Sequence, residues 1–477
     1  MRLSVSVSLM LVNPVRNGSP GMENRDDVVE LKASIHELIE QEAWSDVTEE
    51  FDNLHVQDIA LLLTELSDPD QRVQVFRQVP QERWVATFSY LSAGQQEDLL
   101  KQLRNREGRF ILTNLHPDDR TALLQQMAPE NAERTLKLLR PEDVRLALSL
   151  LNYPEESVGR LMTPRYISIR PEWTVREALA HVRQEGRKGE TMNTVMVLDD
   201  SERLVDVVHL RDLILGELDD TVESICPGYF VSVSPAEDRE TAVRLMQHYD
   251  LEVLSVVDSD GVLLGIVTID DIMDVATEET TEDFHKMGSV AAINLSLHEA
   301  SPQLLYRKRV GWLVSLVFIN IFSGAAIAIF EATIEAVIAL VFFLPMIVAS
   351  GGNAGAQAAT LMVRAMATGD VTMGDWTRLL GKELTVGIGL GLTMGLAVSF
   401  IGLWRGGTEV ALVVALAMVL VVVMGSLVGL ILPFLLSRLR FDPATASVPL
   451  ITCIADIAGI LIYFSVATAL LTLPSPV

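Results

Sequence analysis

The chain has 477 residues, 49% of them apolar, and a formal net charge of −26. The charge is unevenly spread: 28 basic and 55 acidic residues precede Ser301, whereas nine basic and eight acidic residues follow it. This excludes a single soluble globule, and an acidic soluble part that repels phosphate is not expected to bind nucleic acid. Its field favours cations as partners instead.

The two cysteines and the missing catalytic motifs narrow the function further. Cys226 and Cys453 are far apart in the sequence, so a disulfide framework is excluded and a reduced cytosolic setting suits the soluble part. The sequence contains no phosphate-binding loop and no cysteine–histidine cluster. Because no nucleophile or acid–base constellation is visible either, we do not predict an enzyme.

The amino-terminal part is predicted to be a helical array. Residues 1–26 are expected to form a disordered extension, and a helical domain is expected over residues 27–152. Within this domain similar phrases begin at Leu66, Leu91, Leu115 and Leu139, at steps of 25, 24 and 24 residues. Leucine, proline and an acidic first turn, the features of these phrases, are typical of helix starts. Such a period predicts stacked short helices in a superhelix, which we interpret as a scaffold rather than a binding array.

An internal duplication follows at residues 153–275. The segment 162–171 matches 225–235, and each copy continues with a helix, an apolar strand, an acidic turn and a closing strand and helix. This pattern resembles a tandem pair of cystathionine-β-synthase (CBS) domains, an α+β fold. The resemblance implies ATP or another adenine nucleotide as a candidate ligand, with Arg211 and Asp212 as its contacts.

A connecting helix is predicted next, at residues 276–306, and it carries an acidic stripe. Helical spacing puts Asp271, Asp274, Glu278 and Glu282 on one face, with Glu279 and Asp283 beside them. Like charges at these spacings repel each other, and a hard divalent cation with oxygen ligands would relieve that repulsion. A merely solvated face is the competing interpretation; the sequence favours cation sensing because the stripe leads directly into the apolar half.

The apolar half is predicted to be an all-α transmembrane domain at residues 307–477. Five stretches are long enough to cross about 30 Å of hydrocarbon; they are 310–330, 336–363, 384–404, 410–437 and 443–477. Eight of the nine basic residues in this half lie at one set of span ends. The positive-inside rule therefore predicts a multi-pass protein of the cell membrane, with its amino terminus in the cytoplasm and its carboxyl terminus outside.

Polar residues within the spans indicate a pathway. Asp456 lies inside the fifth span, where a carboxylate costs at least about 2.5–3.5 kcal/mol and commonly faces a pathway. The segment 345–357 in the second span contains three glycines, Asn353 and Gln357, which predicts an irregular or closely packed backbone. Asp442 opens the fifth span and is a second pore candidate, although it could serve only as a helix cap.

These membrane motifs together resemble the MgtE family of magnesium channels. The resemblance rests on Gly-Gly-Asn-x-Gly-x-Gln at 351–357, on Asp442-Pro-Ala and on Asp456-Ile-x-Gly, and the domain order matches over nearly the whole chain. It implies a homodimer with a pore between the membrane domains, in which Asp456 holds hydrated Mg²⁺ beside Asn353. It further implies cytosolic sensor positions, which are Asp238, Glu240, Asp250, Asp271, Asp274, Glu279, Glu282 and Asp283.

The predicted function is therefore Mg²⁺ influx down its electrochemical gradient, with closure when cytosolic Mg²⁺ binds the acidic sites. Mg²⁺ is thus expected both as the transported ion and as the regulator. Two alternatives remain open at this point: transport of Co²⁺, Mn²⁺ or Ca²⁺, and a membrane receptor whose CBS pair senses a nucleotide.

Overall fold

The computed structural model describes residues 25–66, 68–291 and 300–471. Most of the predicted disordered extension lies outside these residues, and its last two residues already begin the first helix. The chain divides into two compact units, one ending at Asp271 and the other beginning at Ile272.

Short helices build the amino-terminal domain of the first unit. They are α1 (Arg25–Glu40), α2 (Trp44–Phe51), α3 (Val56–Glu65), α4 (Pro69–Phe76), α5 (Trp84–Ser89), α6 (Ala93–Gln102), α7 (Asn105–Asn114), α8 (Pro117–Gln126), α9 (Pro129–Leu136) and α10 (Pro141–Leu151). A 3₁₀ turn, Gln81–Arg83, precedes α5.

The repeated phrases of the sequence are helix starts, as predicted. The leucine that opens each phrase is buried. A helix begins two residues after it in α6, α8 and α10, and three residues after it in α4. Proline is the first residue of three of these helices because its missing N–H is unpaired in the first turn in any case. Burying each leucine contributes about 1.5–3 kcal/mol, so the phrase both starts a helix and anchors it in the core.

The CBS region contains two copies of one small α+β unit. The first has α11 (Val158–Leu161), β1 (Ser168–Ile169), α12 (Val175–Glu185), β2 (Thr194–Leu198), β3 (Leu204–His209) and α13 (Leu210–Leu215). The second has α14 (Val222–Ile225), β4 (Ser232–Val233), α15 (Arg239–Tyr249), β5 (Val253–Val257), β6 (Leu263–Thr268) and α16 (Ile269–Met287).

The two copies have the same sheet topology. In each three-stranded sheet the first strand is parallel to the middle strand, and the last strand is antiparallel to it. Backbone bridges from Thr163 to Ile266 and from Arg203 to Val262 join the copies. The predicted tandem CBS pair is therefore confirmed as a fold.

The second unit contains the long apolar helices. They are α17 (Pro302–Ile329), α18 (Glu331–Ala336, a short helix), α19 (Ala339–Ala367), α20 (Trp376–Arg438) and α21 (Val448–Leu470). Four of these, in the described residues, are long and apolar enough to cross a membrane. The predicted connecting segment is helical at its two ends, in α16 as far as Met287 and in α17 from Pro302 onward.

Helix α20 comprises two antiparallel spans. Gly407, with φ 77° and ψ −174°, interrupts its 63 residues, and this left-handed region is readily adopted only by glycine. A Cβ placed on Gly391 would lie 2.9 Å from Val419, and one on Gly402 would lie 2.7 Å from Ala411. The two segments therefore fold back on each other, and the membrane domain has the five spans predicted.

Helix α19 is continuous through the segment that was predicted to be irregular or closely packed. A Cβ on Gly355 would lie 2.8 Å from the carbonyl oxygen of Gly425, and a Cβ on Gly425 or Gly429 would overlap the carbonyl of Gly351 or Gly355. Facing glycines four residues apart let two membrane helices approach at backbone distance. The close-packing alternative is confirmed, and the irregular-backbone alternative is wrong.

Candidate functional site

Asp456 lies in the middle of α21 and is half-buried. One turn earlier, Thr452 is 3.2 Å from the Cβ position of Gly352 on α19. One turn later, the Cβ position of Gly459 lies 3.9 Å from Val348 of α19 and 3.3 Å from Val421 of α20. Residues spaced by three and four share a helix face, so Asp456 lies on the side of α21 that packs against α19.

Asn353 follows Gly352 directly and lies at the edge of the same helix seam. Asn353 and Gln357 are both exposed, one turn apart, on α19. The structure thus places the amide groups of α19 and the Asp456 carboxylate of α21 on two helices that pack against each other.

Asp442 has two structural partners in the second unit. Its carboxylate accepts from the backbone N–H of Ala444 at 2.8 Å and so caps the 3₁₀ turn Pro443–Thr445. It also accepts from the Nζ of Lys286 on α16 at 2.5 Å, and Lys286 lies 2.6 Å from Glu282. Burial lowers the pKa of Lys286, but hydrogen bonds to Asp442 and Glu282 outweigh it and raise that pKa above its usual value.

A second polar cluster joins the helical domain to the CBS pair within the first unit. The Nδ1 of His116 lies 2.5 Å from the Glu190 carboxylate, and one ligand atom each of His116, Asp118 and Glu190 lie within 4.8 Å of one another. Asp118 is only 7% exposed. The carboxylates of Asp119 and Asp271 also act electrostatically on this group. We call these five residues the acidic cluster.

The carboxylates of the acidic cluster repel one another. Burial, followed by the charges of Asp271 and Asp119, raises the pKa of Asp118 well above its usual value. Burial likewise raises the pKa of Asp271 to about 7, against a hydrogen bond from Thr268, with Asp270 and Asp119 adding to the rise. The hydrogen bond that the His116 imidazole donates to the Glu190 carboxylate raises the pKa of His116. A divalent cation would relieve this repulsion because it compensates several carboxylates at once.

The acidic stripe of α16 falls into two places. Asp271 belongs to the acidic cluster of the first unit, whereas Glu282 pairs with Lys286 in the second. Between them, Asp274 and Glu278 are exposed, and Glu279 and Asp283 are half-buried. These assignments to a cytosolic sensor stay predictions.

The three predicted sensor residues of the second CBS domain lie at opposite ends of α15. Asp238 caps the helix by accepting from the N–H of Glu240 at 2.8 Å, and Glu240 pairs with Arg244 at 3.5 Å. Asp250 ends the helix with φ 51°. At 1.5 Å per residue this separates Asp250 from Asp238 by about 18 Å, so within one chain these residues do not form one site.

The predicted nucleotide contacts are neighbours at the start of α13. The Nε of Arg211 lies 3.6 Å from the Asp212 carboxylate. This geometry does not test nucleotide binding, which stays a prediction.

Sequence reasoning missed His116, Asp118, Asp119, Glu190 and Lys286. The signal for the first three was present, since they occupy the start of one repeated phrase and give it an unusually polar first turn. Glu190 is separated from His116 by 74 residues and Lys286 from Asp442 by 156. Pairings at such separations have no local pattern in a single sequence.

A CBS pair joined to a domain of five apolar spans, with a carboxylate in the last span, defines a multi-pass membrane transport protein. Sequence models of three families match the chain: "MgtE intracellular N domain" at residues 54–156, "CBS domain" at 158–217 and 222–278, and "Divalent cation transporter" at 344–466. The chain belongs to the MgtE family.

Similar proteins cover nearly its whole length. The magnesium transporter MgtE of Thermus thermophilus is 38% identical, over 92% of this chain and 98% of the relative. The magnesium transporter MgtE of Bacillus subtilis is 32% identical, over 87% and 94%. A solved cytosolic domain of the Mg²⁺ channel MgtE in complex with ATP is 34% identical, covering 51% of this chain and 99% of its own, with a TM-score of 0.49.

Proposed function

We propose that this protein is a channel through which Mg²⁺ enters the cell down its electrochemical gradient, and that cytosolic Mg²⁺ closes it. The observation that carries the proposal is the position of Asp456, half-buried in the middle of a membrane helix, at the seam with α19. A carboxylate at that depth is costly unless it faces a partner or a wet pathway. The family and its magnesium-transporting relatives support the same conclusion.

The chemistry of Mg²⁺ explains why the proposed pore site has few protein ligands. Mg²⁺ releases its octahedral waters reluctantly, so a pore holds it largely as the hydrated ion. One carboxylate from each of two subunits of a homodimer supplies charge without forcing dehydration, and the Asn353 amide supplies hydrogen bonds to the ion's waters. Selectivity over Co²⁺, Mn²⁺ and Ca²⁺ then rests on the size of the site and on these water-mediated contacts.

Closure by the transported ion is needed because the gradient is steep. A membrane potential contributes about 4.6 kcal/mol per 100 mV for a divalent cation, so an open pore would overload the cell. The acidic cluster and the carboxylates of α16 are the proposed sensor. Mg²⁺ bound there stabilises the closed arrangement, and its loss restores the repulsion that opens the channel, which requires tighter binding to the closed state.

The orientation follows from the basic residues at the span ends, which favour a cytoplasmic position for the first unit. In that orientation the acidic cluster meets the cytosol, as a sensor of internal Mg²⁺ must.

Regulation by ATP through Arg211 and Asp212 is a separate prediction, and binding of ATP to the full-length protein would be measured by titration calorimetry with Arg211→Ala for comparison.

Flux of Mg²⁺ into dye-loaded proteoliposomes, with internal Mg²⁺ kept low, tests the proposal. We expect flux in the wild type, its loss in Asp456→Asn, and wild-type flux in Asp370→Asn, a control that removes an exposed carboxylate from the loop after α19. Equal flux in Asp456→Asn and wild type would place the ion pathway elsewhere. The absence of Mg²⁺ flux in folded wild-type protein with a potential applied would refute the channel. Competition by Co²⁺, Mn²⁺ and Ca²⁺ in the same assay ranks the ions.

A further inference from the structure

One residue of the acidic cluster is chemically unlike the others. His116 offers a nitrogen ligand, and one of its ring nitrogens lies within 4.8 Å of carboxylate oxygens of Asp118 and Glu190. His116 directly precedes α8 and Asp118 lies in its first turn, so the start of this helix holds the two residues close together. Glu190 comes from the loop between α12 and β2 of the first CBS domain.

The site contains a buried acceptor that is not satisfied by the protein. The Oδ1 atom of Asp118 is buried and has no hydrogen-bond partner in the structure, and the residue as a whole is only 7% exposed. A buried acceptor that makes no hydrogen bond costs about 1–3 kcal/mol, and more when the group is charged. A bound ligand that contacts the Oδ1 atom of Asp118 would remove this cost.

The spacing suits a small metal ion after a modest adjustment. Zinc binds imidazole nitrogen at about 2.0–2.1 Å and carboxylate oxygen at about 2.0–2.2 Å, so tetrahedral ligand atoms lie about 3.4 Å apart. The present separations, from 2.5 Å between His116 and Glu190 up to 4.8 Å within the triad, bracket that distance.

We propose that His116, Asp118 and Glu190 form a site for a first-row transition-metal ion such as Zn²⁺ or Co²⁺, which binds there more tightly than Mg²⁺. Imidazole nitrogen suits Zn²⁺, whereas Mg²⁺ prefers an all-oxygen octahedral environment and retains its waters. Affinity at a mixed nitrogen–oxygen site rises from Mn²⁺ through Co²⁺ and Ni²⁺ to Cu²⁺ and is lower again for Zn²⁺. One imidazole among carboxylates therefore distinguishes these ions from Mg²⁺.

The regulatory consequence rests on the proposed channel function, whereas the binding itself does not. The ligands come from the helical domain and from the CBS pair, so a bound ion ties these two parts of the first unit together. A transition metal in the cytosol then closes the channel at concentrations at which Mg²⁺ leaves it open. The transporter would thereby respond to an ion that it is not built to carry.

Titration of the full-length protein with Co²⁺ in the presence of excess Mg²⁺ tests the binding, because the visible absorption of Co²⁺ reports nitrogen ligation and coordination number. His116→Asp removes the nitrogen but keeps a carboxylate, and we expect it to weaken Co²⁺ binding by more than about 10-fold. His36→Asp is the matched control, since His36 also pairs with one glutamate in the same domain, Glu65 at 3.1 Å, and its side chain is about as exposed as that of His116. Glu190→Gln is a second variant should His116→Asp not fold.

A Co²⁺ absorption band present in the wild type and in His36→Asp, and lost in His116→Asp, supports the site. No band in the wild type, or a band that survives in both His116→Asp and Glu190→Gln, overturns it and leaves His116 and Glu190 as an ion pair. In the flux assay, Zn²⁺ on the cytosolic side should close the wild type and His36→Asp but not His116→Asp. A lack of Mg²⁺ flux in the wild type would refute the channel and leave the Co²⁺ result standing.

Discussion

Replacing Asp271 by asparagine, in the absence of divalent cations, measures the electrostatic cost of the acidic cluster. Burial and the charges of Asp270, Asp119 and Glu190 raise the pKa of Asp271 from 3.8 to about 7, against the hydrogen bond from Thr268. The ionised form is therefore disfavoured in the folded protein. The destabilisation is fully present above about pH 7 and is lost as the pH falls towards 3.8.

The size of this effect follows from the pKa. At 1.36 kcal/mol per pKa unit, a rise from 3.8 to about 7 corresponds to at most about 4 kcal/mol. Neighbouring carboxylates share the repulsion and relax when one of them is removed, so we expect Asp271→Asn to stabilise the first unit by about 2 kcal/mol at pH 8. The asparagine oxygen can still accept the hydrogen bond from Thr268. At about 2–4 °C per kcal/mol, the melting temperature should rise by about 4–8 °C.

The assay is thermal unfolding of the full-length protein in chelator at pH 8, pH 5 and pH 4, with hydrogen exchange of peptides around α8 to localise the gain. The stabilisation should fall to less than half at pH 5 and nearly vanish at pH 4. Added Mg²⁺ at pH 8 should raise the melting temperature of the wild type more than that of the variant, because a cation offsets the same repulsion. Asp270→Asn is the comparison variant: Asp270 is adjacent in α16 and its charge acts on Asp271, but it is exposed, so its replacement should give a smaller gain.

Two outcomes would refute the reasoning. An unchanged melting temperature of Asp271→Asn at pH 8 would mean that the carboxylate is not held against the cluster. An equal gain from Asp270→Asn would mean that the general negative charge of the domain, rather than the buried cluster, carries the cost.

Lys286→Met removes the cation that bridges two carboxylates of the second unit. Because Mg²⁺ must then neutralise both carboxylates, closure should depend more strongly on Mg²⁺, and Mg²⁺ flux into proteoliposomes at low internal Mg²⁺ should increase. Lys188→Met, which removes an exposed ion pair, should leave this flux unchanged. Gly425→Ala places a methyl group on the facing backbone of α19 and should destabilise the detergent-solubilised membrane domain by at least about 1–3 kcal/mol. Gly389→Ala, where nothing lies within 4 Å of the new atom, should melt like the wild type, and equal melting of both variants would contradict the close seam.

Much of the fold can be predicted from the sequence because its signals are local. Transmembrane spans are continuous apolar runs, the helix starts of the amino-terminal domain repeat as short phrases, and the CBS pair is duplicated within one stretch of chain. Asp456 could be singled out for the same reason, since a carboxylate inside an apolar run is anomalous on its own. The apolar strand expected in each copy is present, at 194–198 and at 253–257, because a run of β-branched residues is also a local signal.

The glycines of α19 show where local reasoning ends. Their spacing in the sequence was compatible with an irregular backbone and with close packing. The structure decides for packing because Gly425 and Gly429, about 74 residues further on, present their own backbone to the same face. Whether a glycine in one helix serves close packing depends on the helix that contacts it, and the local sequence does not show which helix that is.

The sequence by itself determined the family's order of domains, the number of spans and the acidic character of the soluble part, since each depends on composition or on residues a few positions apart. Only the tertiary structure decided that Asp271 joins a histidine and carboxylates of the helical domain, and that Glu282 shares Lys286 with Asp442. It also separated Asp250 from Asp238. The physical reason is that charge–charge interaction falls with distance in space, and folding brings together residues that lie 74 and 156 positions apart in the chain.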